Sequence, residues 1–342
     1  MAGERPQIVF HAAALKHVPM VEGNPIEGVL TNAIGSRNVA EAARAFGVPL
    51  LVMISTDKAV DPASVMGATK RLAEGLCQAL DLYEARRDPP GTRFVTVRFG
   101  NVLGSTGSVV PLFTRQIAAG GPVTVTHPEV SRFFMTVREA VELVLEASAS
   151  APASGDARGK IFVLDMGEPV KIVDLARQMI RLSGLRPERD VAISYIGLRP
   201  GEKLHEALFH AAEAPVPTVN PALRLAAPRT ADYAVLARSL DELEEQARAG
   251  HEARVLDLLH RLVPEYRGAP ARGGATRSLR PGHPTDHRRP RKGRAALAQA
   301  PGAAPVEPGH WGTLHLLDRE PPTGDTASIL SGIDANYGAS PR

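Results

Sequence analysis

Short apolar runs alternate with helix-period amphipathic stretches along most of the chain, and this alternation predicts an α/β fold with a mainly parallel sheet. Ile8-Val9-Phe10 reads as a first strand. Asn24-Pro25-Ile26-Glu27 has the N-cap, N1 proline and N3 glutamate of a helix start, and Gly47 ends that helix just after Phe46. Val48-Pro49-Leu50-Leu51-Val52-Met53 is too short and too β-branched for a helix and reads as a buried parallel strand. Ser64 is placed to cap a helix that runs through Arg71 to about residue 86. Residues 93–101 form the next strand and its exit, 109–119 a helix, and 123–126 a short alternating strand. In the helix over 137–148, Ala140, Val141, Val144 and Leu145 are expected on one face. A flexible linker over 150–159 then leads to a strand (160–166), a helix (171–182), a strand (191–196) and two amphipathic helical segments (232–249 and 252–262).

Composition adjusts this picture mainly at its end. With 342 residues the chain has length for about two domains, and its 44% hydrophobic content is globular. A single cysteine, Cys77, excludes an internal disulfide and suits a reducing cytoplasm. No apolar run approaches the ~18 residues a membrane helix needs. The net charge of +3 is too small to argue for a nucleic-acid partner, and it is unevenly spread. From Arg267 onward eleven Lys and Arg face six Asp and Glu, and 21 of those 76 residues are Pro or Gly. That texture predicts a disordered tail over 267–342, with Arg288-Arg289-Pro290-Arg291-Lys292-Gly293-Arg294 solvated.

Candidate chemistry gathers where the central strand stops. Ile54-Ser55-Thr56-Asp57-Lys58 puts an ionisable pair at the carboxyl end of a parallel strand, the place where open α/β sheets bind ligands. On the following helix Met66 and Lys70 lie four apart, one above the other on one face. A solvated turn with a core methionine and a surface lysine is the plain alternative. After the first strand, Ala12, Ala13 and Ala14 are small enough for a dinucleotide to approach the backbone. The glycine-rich Gly104-Ser105-Thr106-Gly107-Ser108 opens a helix whose free N–H groups favour an anion. In Gly197-Leu198-Arg199-Pro200-Gly201-Glu202-Lys203, the arginine fork suits a diphosphate and the glutamate suits ribose hydroxyls. A plain Arg199–Glu202 ion pair on a turn fits the same residues.

Ser-Thr-Asp-Lys (55–58) followed by Met-Gly-Ala-Thr-Lys (66–70) resembles the core of the UDP-N-acetylglucosamine 4,6-dehydratases, of the extended short-chain dehydrogenase/reductase superfamily. The usual signature there is Tyr-x-x-x-Lys. Met66 stands at the tyrosine position, a replacement shared with the membrane-anchored branch of these dehydratases. The resemblance runs from about Gln7 to about Phe209. It includes the Lys16-His17-Val18-Pro19 segment near the sugar, and Ser131-Arg132-Phe133-Phe134-Met135-Thr136.

The resemblance implies an extended Rossmann domain with a doubly wound parallel sheet, a small substrate-binding subdomain, and NAD or NADP as cofactor. Ala12, Ala13, Ala14, Asn32, Lys70 and Phe99 would contact the cofactor, and Lys16, His17, Asn101, Arg132, Arg199 and Glu202 a UDP-N-acetylhexosamine. The implied reaction oxidises C4, loses water between C5 and C6, and reduces C6 to a 4-keto-6-deoxy sugar. Asp57 would be the general acid toward the C6 hydroxyl, Lys58 the base at C5, and Thr56 a hydrogen-bond donor near the C4 oxygen. Burial would raise the pKa of Asp57 and Lys58 would lower it, so the residues alone leave its protonation open. No metal is implied; a homo-oligomer is. Family members begin with a Gly-x-Gly-x-x-Gly unit that this sequence lacks, so the expected architecture is a partial Rossmann sheet missing its first strands. Residues 1–150 would be the C-terminal part of the dinucleotide domain and 151–266 the remaining substrate-binding elements. As written, the chain is expected to bind cofactor weakly and to be catalytically incompetent. A non-catalytic binding module, or another nucleotide-sugar enzyme such as a C4 epimerase, stays open as an alternative.

Overall fold

The computed structural model describes residues 1–151, 155–211 and 213–268. Apart from its first two residues, the tail expected to be disordered lies outside them. In chain order the elements begin with β1 (Ile8–His11), α1 (Val18–Glu22), α2 (Pro25–Gly28), a π-helical turn (Val29–Ile34), α3 (Gly35–Ala45), β2 (Leu50–Thr56), α4 (Val65–Glu84) and β3 (Arg93–Phe99). β4 (Asn101–Val102), α5 (Val109–Ala118), β5 (Val123–Val125), β6 (Ser131–Arg132), β7 (Phe134–Met135), α6 (Val137–Ser150), β8 (Ile161–Leu164) and β9 (Val170–Lys171) follow. The rest are α7 (Ile172–Leu182), β10 (Ile193–Tyr195), β11 (Val216–Pro217), β12 (Leu223–Ala226), α8 (Tyr233–Arg248) and α9 (Glu252–Leu262).

The main sheet runs β1-β2-β3-β8-β12-β11, parallel through β8 and antiparallel from β12 outward. β2 is buried on both faces, as its unbroken apolar run requires. Leu51 and Met53 join a core with α4, α8 and α9, while Leu50 and Val52 join one with α6. A smaller unit pairs β5 with β10 and packs them against α5 and α7 around Phe113, Met179 and Ile180. β1 ends the sheet among the described residues, and Ile8 and Phe10 on it are 46% and 45% exposed.

Several local expectations change. The helix expected from Pro25 to Phe46 runs unbroken to Ala45 but is wound as a π turn over Val29–Ile34, and the Asn24 side chain makes no capping bond; its Nδ2 donates to Met20 O. On α6, Ala140, Val144 and Ala147 face the sheet but Val141 and Leu145 are exposed. Their 100° offset carries them past the contact line of a helix lying on a flat sheet. The stretch expected to be a flexible linker is pinned where it is described. Ala157 is buried, Gly159 N donates to Asp81 Oδ2 at 2.9 Å, and Gln78 Nε2 donates to Gly159 O at 2.7 Å.

α4 packs closely on the turn that follows β2 because Gly67 has no side chain. A Cβ there would stand 2.2 Å from the Lys58 carbonyl oxygen and 3.1 Å from Pro62 Cβ. Gly67→Ala should therefore cost ~1–3 kcal/mol by overpacking. Gly75→Ala on the same helix meets nothing nearer than Arg71 Nη1 at 3.8 Å and should stabilise by ~0.5–1 kcal/mol. Urea-unfolding midpoints of the two variants should move in opposite directions.

Candidate active site

A cavity of about 490 Å³ opens between the carboxyl ends of the parallel strands and the small α5/β5/β10 unit. Thr56 ends β2 extended, and its Oγ1 accepts from Lys58 N at 3.4 Å as the chain turns into a short 3₁₀ segment, Asp57–Ala59. Thr56 Oγ1 also donates to Asp57 Oδ1 at 2.9 Å. Lys58 Nζ donates to the same carboxylate oxygen at 2.9 Å and to Asn101 Oδ1 at 3.4 Å. Thr56, Lys58 and Asn101 line the cavity. Asp57, expected to face the sugar, does not: it is fully buried, and its unpartnered Oδ2 packs beneath Gly100. The sharp turn after β2 swings its side chain back under the next strand exit.

α4 supplies the opposite wall. Ser64 Oγ accepts from Gly67 N at 3.1 Å, so the expected cap forms, and Met66 and Lys70 both reach the cavity one turn apart. Lys70 is 5% exposed, and its Nζ donates to Ile54 O at 2.6 Å, its one acceptor among the described residues. Burial lowers its pKa, and the nearby Glu74 carboxylate opposes that shift. Two of its three N–H bonds remain for a ligand.

The loop after β1 brings Ala12, Ala14, Lys16 and His17 to the cavity, with Ala13 turned to solvent. Asn32, expected against the cofactor, is instead buried away from the cavity. Its Oδ1 accepts from Leu15 N at 2.7 Å, and its Nδ2 donates to Leu15 O at 3.0 Å and to Thr69 Oγ1 at 3.1 Å. The π turn aims this amide at the loop, so Asn32 fixes the loop against α4. Ser36 Oγ donates to Asn32 O at 2.6 Å, so His11 Nε2, 2.9 Å from Ser36 Oγ, must be the donor of that pair. Burial, then the charge of Lys70, lowers the His11 pKa and favours its neutral ring. Phe99 lines the same end of the cavity.

At the far end, Gly107 carries φ +70°, and a Cβ on it would fall 2.5 Å from His17 Cε1, so only glycine fits. Ser108 caps α5 with no side-chain hydrogen bond, and its buried Oγ has no partner. The two arginines of this end behave differently. Arg132, expected to hold substrate, is spent on the protein: it donates to Ser131 O, Leu204 O, Lys203 O and Glu202 Oε1. Glu202 also accepts from Thr126 Oγ1 at 2.9 Å and from Arg199 N at 3.1 Å. Its carboxylate pairs with Arg132, so the Arg199–Glu202 ion pair does not form. The Arg199 guanidinium is exposed at the cavity rim with no hydrogen bond or ion pair among the described residues.

Sequence reasoning missed Thr126, which lines this end, and a fully buried pair beneath the floor, Glu74 and Arg98. The pair's only trace in the sequence is a glutamate four residues after Lys70, on the apolar face of α4.

This combination of sheet, strand-end cavity and small capping unit is the Rossmann-like architecture of nucleotide-sugar epimerase and dehydratase structures. The solved structure of Pen from Bacillus thuringiensis matches at 37% identity and a TM-score of 0.55, over 65% of this chain and 66% of that one. UDP-glucose 4-epimerase of Thermus thermophilus, solved with NAD, matches in fold alone at 24% identity and a TM-score of 0.51, over 60% of this chain and 70% of that one. Residues 1–227 match the model of the polysaccharide biosynthesis protein family, and the chain belongs to that family. Capsular polysaccharide biosynthesis protein CapD of Staphylococcus aureus is 57% identical over 60% of this chain and 33% of its own length. Probable polysaccharide biosynthesis protein EpsC of Bacillus subtilis is 50% identical over 73% of this chain and 40% of its own. A UDP-glucose 4-epimerase of Rickettsia typhi is 41% identical over 58% of this chain and 55% of its own. The chain thus spans between a third and about half of these curated relatives. Among the described residues, no helix is long and apolar enough to cross a membrane.

The thiol of Cys77 lies on the same helix, fully buried, and burial pushes its pKa up to about 12. It should stay protonated and unreactive toward a disulfide reagent at about pH 8 in the native chain, and react fully once urea unfolds it. Rapid native reaction would show that α4 opens readily.

Proposed function

We propose that this chain carries the sugar-processing site of a nucleotide-sugar 4,6-dehydratase acting on a UDP-linked N-acetylhexosamine with NAD or NADP. The observation that carries this reading is the shared cavity. Thr56, Lys58 and Lys70 stand around Met66 at one end, and an unpaired Arg199 stands near the amino end of α5 at the other. The residues present fit the nicotinamide-ribose end of such a cofactor. Lys70 keeps free donors in a buried position, and Ala12 and Ala14 leave the backbone approachable. Bound there, the cofactor would supply reversible oxidation at C4 of the sugar, which acidifies the C5 proton. Thr56 then orients the C4 oxygen, and Lys58, once its ammonium has passed a proton to the Asp57 carboxylate it touches, takes the C5 proton. Asp57 lies one side chain behind the cavity wall, so its proton reaches the departing C6 hydroxyl through a neighbour that touches it. Thr56 and Lys58 are the two such neighbours in contact with its carboxylate. Arg199, Ser108 Oγ and the N–H groups that open α5 would hold the diphosphate.

A C4 epimerase is the second reading, favoured by the Rickettsia relative; Met66 weighs against it, since a thioether moves no proton. Incubating the protein with UDP-N-acetylglucosamine and NAD or NADP separates the two, because a 4-keto-6-deoxy product supports the dehydratase and a C4 epimer overturns it.

Two variants test the residue roles. Arg199→Lys keeps the charge but loses the planar fork, so UDP affinity measured by calorimetry should fall about tenfold. Equal affinities would return Arg199 to a plain surface role. In a form of the protein that turns over substrate, Asp57→Asn should lower elimination by ~10²–10⁴-fold with UDP binding retained. Unchanged turnover would remove Asp57 from the mechanism.

A further inference from the structure

α4 grips two successive residues of β2 with two side chains one turn apart. Lys70 Nζ donates to Ile54 O at 2.6 Å, and Glu74 Oε1 accepts from Ser55 Oγ at 2.7 Å. Residues four apart on a helix stack on one face with Cβ atoms about 5–6 Å from each other, so the ammonium and the carboxylate share one buried strip of the cavity floor. Behind Glu74 stands Arg98, the register partner of Ser55 on β3. Its fork closes on the carboxylate through Nε at 3.0 Å and Nη2 at 2.7 Å, and its Nη1 donates to Leu208 O at 3.0 Å. Glu74 is 0% and Arg98 1% exposed.

We propose that Glu74 is a positioning residue for Lys70: its carboxylate, clamped from behind by Arg98, keeps the buried ammonium charged and aimed across the cavity floor. The other groups around Lys70 cannot do this. Cys77 on α4 is a neutral thiol, held so by burial. His11 on β1 faces the same cation and is driven neutral. Ile54 offers a carbonyl from β2, Met66 a thioether from α4, and Lys58 across the cavity a like charge already bonded to Asp57. Arg71 lies 3.9 Å from Glu74 on its far side and, like Arg98, opposes a second cation. Glu74 is thus the one anion on the Lys70 strip among these groups, and the clamp holds it ionised. Burial raises its pKa, but Arg98, then Arg71 and Ser55, bring it below the ordinary carboxylate value. Without a tyrosine hydroxyl at position 66 to perturb, the remaining use of that cation is to hold ligand oxygens; this use rests on the function proposed above, whereas the ionisation of Lys70 does not.

The test is a pH titration of Lys70 in the unliganded full chain by carbon-13 NMR of labelled lysine. The chain has seven lysines, and the Lys70→Gln chain identifies the resonance. Glu74→Gln keeps shape and the Ser55 contact but removes the charge, so the Lys70 midpoint should fall by about one pH unit or more, a tenfold change in its protonation equilibrium. Glu74→Leu with Arg98→Met removes both charges at similar volume, a change that buried pairs commonly tolerate. It keeps the question answerable if Glu74→Gln does not fold, and the Lys70 midpoint should fall there too, because the carboxylate is the nearer charge. A midpoint unmoved in a folded variant overturns the proposal and reduces Glu74 to a structural anchor. UDP titration of the unaltered chain tests the functional reading separately, so the two failures are distinguishable.

Discussion

The structure depends on carboxylates buried under α4. Glu74, Asp81 and Glu84 are essentially without solvent exposure, and taking an ion out of water costs several kcal/mol unless charge and hydrogen bonds offset it. Each finds arginine. Glu74 takes the Arg98 fork, Asp81 takes Arg93 and Arg158, and Glu84 takes Arg44 and Arg87. Such pairs contribute little net stability, but they leave few alternative packings, since any shift of the helix strands an ion. The close approach at Gly67 and the placing of Lys70 over β2 are both consequences of that fixed seat.

Arg93 and Arg98 open and nearly close β3, and they meet carboxylates in the last turns and at the middle of α4, respectively. Glu74 and Asp81 are separated by about 10 Å along a helix, and Arg93 and Arg98 by about 17 Å along a strand. The flexible arginine stems take up that mismatch. The two ends differ in kind. At the amino end of β3 the Asp81 oxygens accept from Phe94 N, Gly159 N, Arg93 and Arg158, which closes the site against ligands and secures the segment entering β8. At the carboxyl end Glu74 is equally saturated, yet its neighbours Ser55 and Lys70 both open onto the cavity.

What was legible in the sequence was what is local in the chain. The strand-then-turn of residues 48–58, the Ser64 cap and the i, i+4 pair of Met66 and Lys70 each follow from neighbours within a few residues. The orientation of Asp57 was not legible, because its carboxylate packs under Gly100, far along the chain. Arg132 was expected to hold ligand through the resemblance of its 131–136 segment to the family. Only the fold shows Glu202, Lys203 and Leu204 consuming its donors. The pinning of residues 157–159 depends likewise on Asp81, which lies 78 residues before Gly159 in the chain. β12 escaped notice because Leu223–Ala226 is four residues long and gains its burial by pairing with β8.

Charge across the cavity follows from these distant pairings. Lys16, Lys58, Lys70, Arg132 and Arg199 line it, with Glu202 the one carboxylate on its surface among the described residues. Arg132 cancels Glu202 and Asp57 cancels Lys58 from behind. With Glu74 countered by Arg98, the uncompensated cations lining the cavity are Lys16, Lys70 and Arg199, and the dipole of α5 adds positive potential at its amino end. Low-dielectric walls focus such a field, so an anionic ligand is drawn into the cavity, with the α5 amino end adding to the pull there. A sugar joined to a nucleoside diphosphate is such a ligand. Under the function proposed above, that field would favour the diphosphate of the substrate over its neutral sugar at the α5 amino end.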